Sequence, residues 1–150
     1  MEKDLFFMRK AIEIAAESFA LGEVPVGAIV VKDGEIVGES PNKRETNGDA
    51  TAHAEIEAIR QACAKLGRWR LSDCELYVTL EPCPMCAGAI LNAKIGRVVY
   101  GAKDPRGGAL GSLIDLCSYP FYHKPKTVSG VCEQECRELL QEFFQKKRMK

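Results

Sequence analysis

The stretch LYVTLEPCPMCAGAILNAKIGRVVY, residues 76–100, decides the fold. Residues 76–80 and 98–100 are short apolar runs rich in β-branched and aromatic side chains, which is typical of buried strands. Between them, residues 84–93 have helical spacing, and Pro84 suits the first turn of a helix. A strand, a helix and a strand in so short a span predict two parallel strands joined by a right-handed crossover.

The residues before this unit predict a helix, a hairpin and a second helix. Apolar residues spaced three and four apart predict an amphipathic helix that ends at about Leu21. The apolar runs 28–31 and 36–37 flank an Asp-Gly pair, which is a strong hairpin signal. A second helix is predicted from about His53. We expect its apolar face to consist of Ile56, Ile59, Cys63 and Leu66.

The residues after residue 100 complete the prediction of a layered α/β domain. Residues 101–112 carry four glycines and a proline, which indicates a loop, and residues 126–129 predict a short last strand. A closing helix is indicated by Cys132, Cys136, Leu139, Leu140 and Phe143. With no repeat or linker in the sequence, we expect one domain, residues 1–150, in which a partly antiparallel and partly parallel sheet lies between helices.

The composition is that of an ordinary globular protein. The 150 residues are 46% hydrophobic and 28% charged, and 21 basic residues equal 21 acidic ones, so overall charge predicts no class of partner. The longest apolar stretch, residues 24–31, is too short to cross a bilayer, and the start leads into no signal-peptide core. We therefore expect a cytoplasmic protein without a membrane partner. The glycine-rich residues 107–112 lack a P-loop lysine, so no nucleotide cofactor is expected.

Seven cysteines in a chain without an export signal are expected to be reduced, which favours metal binding or catalysis over disulfides. Two short motifs carry this chemistry: His-Ala-Glu at residues 53–55 and Pro-Cys-Pro-Met-Cys at residues 82–86. One imidazole and two thiolates, from His53, Cys83 and Cys86, suit a tetrahedral zinc ion. Three protein ligands leave a fourth position for water, as in catalytic zinc sites.

Other interpretations of these residues stay open at this point. A structural zinc site would need a fourth ligand. The available thiols are Cys63, Cys74, Cys117, Cys132 and Cys136. We interpret Cys63, Cys132 and Cys136 as core residues, and a second metal site that combines Cys132 and Cys136 with His123 is disfavoured.

Glu55 is the natural acid/base beside the metal motif. Residues two apart on a helix diverge, so its carboxylate would not ligate the metal alongside the imidazole but could reach the water. Of the other acids near the two motifs, we interpret Glu57 as a solvated surface residue and Glu81 as a charge that stabilises the start of a helix.

The two motifs together match the H-x-E and P-C-x-x-C signature of the zinc nucleobase deaminases. The likeness extends to EVPVGA at 23–28, LYVTLEPCPMCAGA at 76–89, GAKDP at 101–105 and the C-terminal Glu135-Cys136 and Phe143-Phe144 with their basic end. Over nearly its whole length the sequence resembles the bacterial tRNA-specific adenosine deaminases of the zinc-dependent cytidine/deoxycytidylate deaminase-like superfamily.

This resemblance implies an α/β fold of the cytidine-deaminase-like type, a three-layer α/β/α sandwich with a five-stranded mixed sheet. It implies one Zn²⁺ per subunit, a homodimer and a tRNA anticodon stem-loop as the partner. The implied reaction is the hydrolytic deamination of adenosine to inosine at the wobble position, with release of ammonia.

The resemblance also implies roles for single residues. His53, Cys83 and Cys86 would bind zinc, Glu55 would shuttle protons, and the backbone N–H of Cys83 would help to hold the attacking oxygen. Asn42 would hydrogen-bond the flipped nucleoside, and its pocket would be lined by Val26 and Ala54. Asp104 matches an aspartate of the substrate groove, where we expect it to contact a sugar hydroxyl because phosphates repel a carboxylate.

Two further segments are candidates for RNA contact. The last fourteen residues carry a charge of +3 beside Phe143 and Phe144, which offers phosphate attraction and a stacking surface, with Phe144 nearer the substrate. His123 lies in an aromatic segment that either stacks on unpaired bases or packs as a loop. The alternatives to the tRNA reading are a deaminase of a free base or nucleoside, of guanine or cytidine type, and a non-catalytic RNA-binding zinc module. The basic end argues against a free base, which offers no phosphates, and Glu55 argues against a binding module, which needs no acid/base beside the metal.

Overall fold

A computed structural model describes residues 2–148 of the chain. Within this range the elements follow one another as α1 (Glu2–Ala20), β1 (Gly27–Lys32), β2 (Glu35–Pro41), α2 (Arg44–Asn47), α3 (Ala54–Leu66), β3 (Cys74–Leu80), α4 (Pro84–Ala93), β4 (Arg97–Ala102), β5 (Lys126–Ser129) and α5 (Glu133–Arg148). None of these helices has the length and apolar character that a membrane span needs.

The five strands form one mixed sheet in the order β2-β1-β3-β4-β5. β1 pairs antiparallel with β2 and with β3, whereas β4 pairs parallel with β3 and with β5. The parallel pair β3–β4 is joined through α4, as the strand-helix-strand pattern of residues 76–100 predicts. The predicted hairpin is present too, and its turn residues Asp33 and Gly34 have φ values of 49° and 79°, the left-handed conformation that a tight hairpin requires.

Each face of the sheet is covered by two helices. α3 and α4 enclose one core with sheet residues such as Val30, Leu76 and Val98, and α1 and α5 enclose the other with Ile29, Tyr77 and Val99. Alternate strand residues thus face opposite cores. The predicted three-layer sandwich is confirmed.

Two glycines let helices approach the hairpin closely from opposite faces. A Cβ at Gly27 would lie 2.1 Å from the Ala11 carbonyl oxygen of α1, and a Cβ at Gly38 would lie 2.2 Å from the Ala58 oxygen of α3. The buried face of α3 is largely made of alanines. Of the four residues predicted for this face, Ile59 is buried, and Cys63 and Leu66 are half-buried and pack against the core, whereas Ile56 is half-buried and is not part of that core.

The start of α1 is tied to the sheet by a buried carboxylate. Asp4 is 6% exposed and accepts hydrogen bonds from the Tyr77 hydroxyl at 2.8 Å and from Arg97 at 2.8 and 2.6 Å. The hydrogen bonds from Arg97, opposed by burial, lower the pKa of Asp4 to about 2. This network lies on the face of the sheet that α1 covers, opposite the face that α3 and α4 cover.

Two short elements were not predicted, and one boundary differs. α2 and a 3₁₀ turn at Leu116–Ser118 lie in segments that read as loops. Cys132 precedes α5 with a φ of 55° instead of lying within the helix, and Leu139 and Leu140 are half-buried. Arg44, the first residue of α2, lines the cavity described next.

Candidate metal centre and substrate pocket

The metal motifs lie at the starts of two helices that flank the end of β3. His53 is the residue that precedes α3, and Cys83 is the residue that precedes α4, with extended backbones at ψ 153° and 173°. Neither side chain caps its own helix. Both side chains are therefore free of capping contacts. Because the first turns of the two helices meet beside β3, the imidazole and the thiol can face each other.

The three proposed ligands have the spacing of a tetrahedral zinc site. Nδ1 of His53 lies 3.6 Å from Sγ of Cys83 and 3.5 Å from Sγ of Cys86. Zinc bonds of about 2.3 Å to sulfur and about 2.0–2.1 Å to nitrogen at a tetrahedral angle would separate the two ligand atoms by about 3.6 Å. Within residues 2–148, no other histidine, cysteine or acidic side chain joins this cluster, so the four-ligand structural site is not formed there. The donor set and its spacing therefore fit an open zinc site.

Hydrogen bonds among the two thiols and the imidazole shift the pKa of each group. The Cys86 thiol, with His53 and the Cys86 backbone N–H, lowers the pKa of Cys83 to about 4, while burial partly opposes the shift. The same contact raises the pKa of Cys86, since its thiol donates to Cys83, and the hydrogen bond to Cys83 raises the pKa of His53. Cys83 is thus stabilised as the thiolate, the form that ligates metals.

Glu55 lies in the first turn of α3 beside these ligands. It is 4% exposed, and burial raises the pKa of its carboxyl group to about 7, with the Cys83 charge acting in the same direction. A carboxyl group with a pKa near the working pH can both accept and return a proton. Glu57, the rival two residues further on, instead pairs with Arg60 at 3.6 Å.

A cavity of about 240 Å³ opens next to the metal motifs. Its lining includes all four residues predicted to bind substrate at this point, namely Val26, Asn42, Ala54 and Asp104, together with His53, Glu55 and Cys83. The sequence analysis missed its other lining residues, which are Val24, Arg44, Leu80 and Glu81. Val24 belongs to the stretch EVPVGA at 23–28, and Glu81 belongs to the stretch 76–100. Their positions next to motif residues were the signal from which they could have been predicted.

Asn42 and Asp104 are held in place by their own backbone surroundings. The Asn42 Nδ2 donates to the Val24 carbonyl at 3.4 Å, and its Oδ1 accepts from the Arg44 N–H at 3.3 Å. Oδ1 of Asp104 accepts from the N–H groups of Arg106 and Gly107 at 3.1 and 3.2 Å. These local bonds fix where the two polar side chains stand at the cavity.

The interpretation of Glu81 as a charge at a helix start is wrong. The side chain is 2% exposed and accepts hydrogen bonds from the backbone of Asp104, Leu110 and Ser112. It therefore anchors the loop that follows β4, on which Asp104 lies.

The structure does not bring His123 or Phe144 to this cavity. His123 hydrogen-bonds the Ile95 carbonyl at 2.8 Å, just before β4 begins, whereas Asp104 lies beyond the other end of β4. Phe144 is exposed on α5 and lines a separate groove of about 770 Å³. That groove is lined by Arg106, Arg137, Leu140, Gln141, Phe144, Gln145, Lys147 and Arg148. Lys150, the last residue of the predicted basic end, lies outside the described residues.

The chain is similar to known deaminases. The model of the family described as MafB19-like deaminase matches residues 2–148. A tRNA-specific adenosine deaminase from Bacillus subtilis (strain 168) is 47% identical over 151 residues, which cover 100% of this chain and 94% of that protein. The tRNA-specific adenosine deaminase of Agrobacterium fabrum is 46% identical, with 99% of both chains covered.

Solved structures give the same relationship. A chain from a study of A-to-I editing by tRNA:A34 deaminases at the wobble position superposes with a TM-score of 0.88 at 47% identity and covers 90% of this chain and 99% of that one. A guanine deaminase from Bacillus subtilis, also 47% identical, superposes with a TM-score of 0.63 over 65% of this chain and 63% of that one.

Proposed function

Since the chain belongs to the MafB19-like deaminase family, with tRNA-specific adenosine deaminases as full-length relatives, we propose that it is a zinc-dependent hydrolase that converts adenosine to inosine at the wobble position of a tRNA anticodon loop. One observation carries the proposal: a cluster of one histidine and two cysteines that could hold a metal ion lies beside a buried Glu55 in a small cavity. The chain would act as one deaminase domain, since the matched family spans residues 2–148.

His53, Cys83 and Cys86 would hold one zinc ion per subunit. When bound, zinc lowers the pKa of a water molecule in its open position and so supplies a nucleophile at neutral pH. The chain contributes the ligand geometry, in which the spacing of Nδ1 and the two sulfurs fits the ion, and it buries Cys86 and Glu55.

Glu55 would move the protons of the reaction. In its ionised form the carboxylate accepts the proton of the attacking water. It then passes this proton to a ring nitrogen of the purine and assists the departure of ammonia. Burial raises the pKa of this carboxyl group, which favours return of the proton after it has been accepted. The backbone N–H of Cys83, which lines the same cavity, would help to hold the attacking oxygen.

The cavity would take one extruded nucleoside. Val26 and Ala54 provide apolar walls for the base, Asn42 provides a hydrogen-bonding amide, and Asp104 is placed to accept from a sugar hydroxyl. An anticodon loop suits this cavity because its bases are already unpaired and cost little to extrude.

The groove on α5 would take the RNA that flanks the target. Arg106, Arg137, Lys147 and Arg148 offer four positive charges around Phe144, and single-stranded nucleic acid is held by this combination of charge and stacking surface. His123 stays a proposed RNA contact on a different part of the surface.

A deaminase of a free base is the second candidate. The guanine deaminase likeness favours it, although that likeness covers only 65% of this chain. The basic groove favours RNA, because a free base offers no phosphates for its arginines and lysines to bind.

We further propose a homodimer that acts in the cytoplasm. Apolar side chains are exposed at Met85 in α4 and at Leu113 and Ile114, which lie just before the 3₁₀ turn that packs near α4. An apolar surface of this kind is typical of an interface. The cytoplasmic location follows from a tRNA substrate.

An assay of four substrates tests the function. The zinc-loaded protein is incubated with an anticodon stem-loop, free adenosine, guanine and cytidine, and inosine and ammonia are measured. We expect turnover of the stem-loop. Turnover confined to guanine or cytidine would contradict the proposal and support the second candidate. Binding of RNA without ammonia release from any of the four would favour a non-catalytic zinc module.

A further inference from the structure

Glu81 is a buried carboxylate whose partners all come from one loop. It directly follows β3, which ends at Leu80, and it precedes Pro82 and Cys83. Its Oε1 accepts from the Asp104 N–H at 3.1 Å and from the Ser112 hydroxyl, and its Oε2 accepts from the N–H groups of Leu110 and Ser112 at 3.0 and 3.1 Å. Four donors between residues 104 and 112 therefore converge on one side chain.

The loop is also shaped to fit this carboxylate. A Cβ at Gly108 would lie 2.3 Å from Cδ of Glu81, so only a glycine allows the loop to pass so close. The Ala109 N–H donates to the Pro82 carbonyl at 2.8 Å, which adds a contact one residue closer to the metal ligand. Apart from one isolated bridge between Leu110 and Asp115, residues 103–115 form no strand or helix. Glu81 and Pro82 thus supply much of what fixes the shape of the loop.

This loop carries one wall of the cavity. Asp104 lines the cavity itself, and Arg106, two residues later, lines the groove on α5. Because Glu81 is two residues from Cys83, the same short segment fixes both the metal ligand and the wall that faces it.

We propose that Glu81 is a positioning residue that sets substrate affinity by holding the 104–112 loop, and hence Asp104, against the metal side of the cavity. The role of the loop in substrate binding rests on the proposed function. Glu81 takes no part in proton transfer, because its four acceptor positions are used by the loop.

Replacement of the carboxylate by an amide should release part of the loop. In Glu81→Gln the side chain keeps its size, but an NH₂ group replaces one carboxylate oxygen. That oxygen accepts two hydrogen bonds from the loop, whereas the NH₂ group can accept none. A buried donor that faces other donors is strongly unfavourable, so the loop must move to reach water. Ser112→Ala removes the hydroxyl donor alone and should act in the same direction with a smaller effect.

Hydrogen exchange and steady-state kinetics of the zinc-loaded protein test the proposal. In Glu81→Gln, we expect exchange at the amides of Asp104, Leu110 and Ser112 to accelerate by roughly ten- to a hundredfold, as expected for lost hydrogen bonds to a charged group. We expect KM for the stem-loop to rise by about tenfold or more, with kcat within about threefold and zinc content unchanged. Asp4→Asn, which removes a buried carboxylate from the opposite face, is the matched control and should change neither the three amides nor KM.

Each other outcome overturns the proposal. Unchanged exchange at the three amides would show that Glu81 does not hold the loop. A fall in kcat at constant KM would assign Glu81 to the chemical step, and loss of zinc would show that it acts through Cys83. An equal rise of KM in Asp4→Asn would show that the rise of KM in Glu81→Gln comes from a general loss of stability. Hydrogen exchange needs no substrate, so failure of the proposed function, seen as a wild-type protein inactive on all four substrates, is a separate result.

Discussion

The two sides of the cavity are built differently. The metal side, His53, Glu55, Cys83 and Cys86, stands on the first turns of α3 and α4, which pack directly on the sheet. The substrate side, which includes Asn42 and Asp104, stands on two connecting segments, residues 42–49 and 104–112. Regular secondary structure therefore fixes the groups proposed for chemistry, whereas single side chains fix the groups proposed for recognition.

Each connecting segment is held by a buried acid. Glu81 holds the 104–112 loop, and Glu23, which is 1% exposed, accepts from the Glu45 N–H at 3.0 Å and from the N–H and hydroxyl of Thr46 at 2.5 and 2.6 Å. Because each segment has its own anchor, we expect substitutions in the two segments to alter substrate contacts while the metal side stays intact. Substitutions on the two sides should then give separable kinetic defects.

The largest effect is expected on the metal side from Cys86→Ala. Loss of one buried thiolate should reduce the zinc content from one per chain to near zero and abolish deamination, because two protein ligands do not hold the ion. Metal analysis and ammonia release measure both. Cys136→Ala is the matched control, since Cys136 is a buried cysteine of the opposite core and should leave zinc in place. Full zinc content in Cys86→Ala would remove Cys86 from the ligand set.

Glu55→Gln should separate chemistry from metal binding. We expect zinc and stem-loop binding to be retained while kcat falls by about 10²–10⁴-fold, the usual contribution of a general acid/base. Single-turnover assays and metal analysis measure the two properties. Glu57→Gln provides the control, because that side chain pairs with Arg60 and should be neutral. Retained turnover in Glu55→Gln would remove Glu55 from the mechanism.

On the substrate side, the Lys147→Ala, Arg148→Ala double variant should weaken binding and leave kcat at saturating stem-loop unchanged. Both side chains line the α5 groove, so their loss should reduce the slope of log K against log[salt] by about 1–2. Titrations at several salt concentrations measure the slope. Lys32→Ala with Lys65→Ala is the charge-matched control outside the groove. An unchanged slope in the groove variant would exclude these residues from phosphate binding.

The smallest effects concern stability, and they differ in sign between Glu55 and Asp4. Burial raises the pKa of Glu55 to about 7, so in the metal-free protein its ionisation opposes folding increasingly from about pH 4.5 to 7. Metal-free Glu55→Gln should therefore gain up to about 3 kcal/mol over wild type in that window.

Asp4 behaves in the opposite way because its pKa is lowered to about 2. Its contribution is present at neutral pH and is lost as the pH falls from about 4 through 2, so Asp4→Asn should cost about 2 kcal/mol at pH 7 and progressively less in acid. Denaturant unfolding at several pH values measures both profiles. Asp33→Asn, an exposed turn position, is the control. A pH-independent cost in Asp4→Asn would contradict the ion-pair explanation.

The parts of the fold that the sequence predicted are those with local signals. Pro84 marks the start of α4, whose predicted bounds match those observed, and the Asp-Gly pair marks the hairpin turn. The three proposed metal ligands could be picked out from the sequence because each lies in a short motif at a helix start. Their meeting in space follows from the packing of α3 on β1 and β2 and from the pairing of β1 with β3, the strand that precedes Cys83 and Cys86.

The parts that were missed depend on contacts between distant residues. α2 is held by Glu23, and the 104–112 loop is held by Glu81, each more than twenty positions away in sequence. A buried acid that binds backbone N–H groups resembles any surface acid in a sequence, so Glu81 was assigned to a helix start. The alanine face of α3 depends on how closely the helix approaches β2, which side-chain hydrophobicity does not indicate.

The glycine at position 38 has a consequence for attempts to alter this protein. Position 38 lies on the edge strand, and its missing methyl group decides how near the sheet α3 can rest. Since His53 directly precedes α3 and Glu55 lies in its first turn, any larger residue at position 38 would displace these two proposed site residues without touching them. Mutant libraries built to select new specificities should keep that codon and the codon of Gly108 constant and vary the exposed positions of the two connecting segments instead.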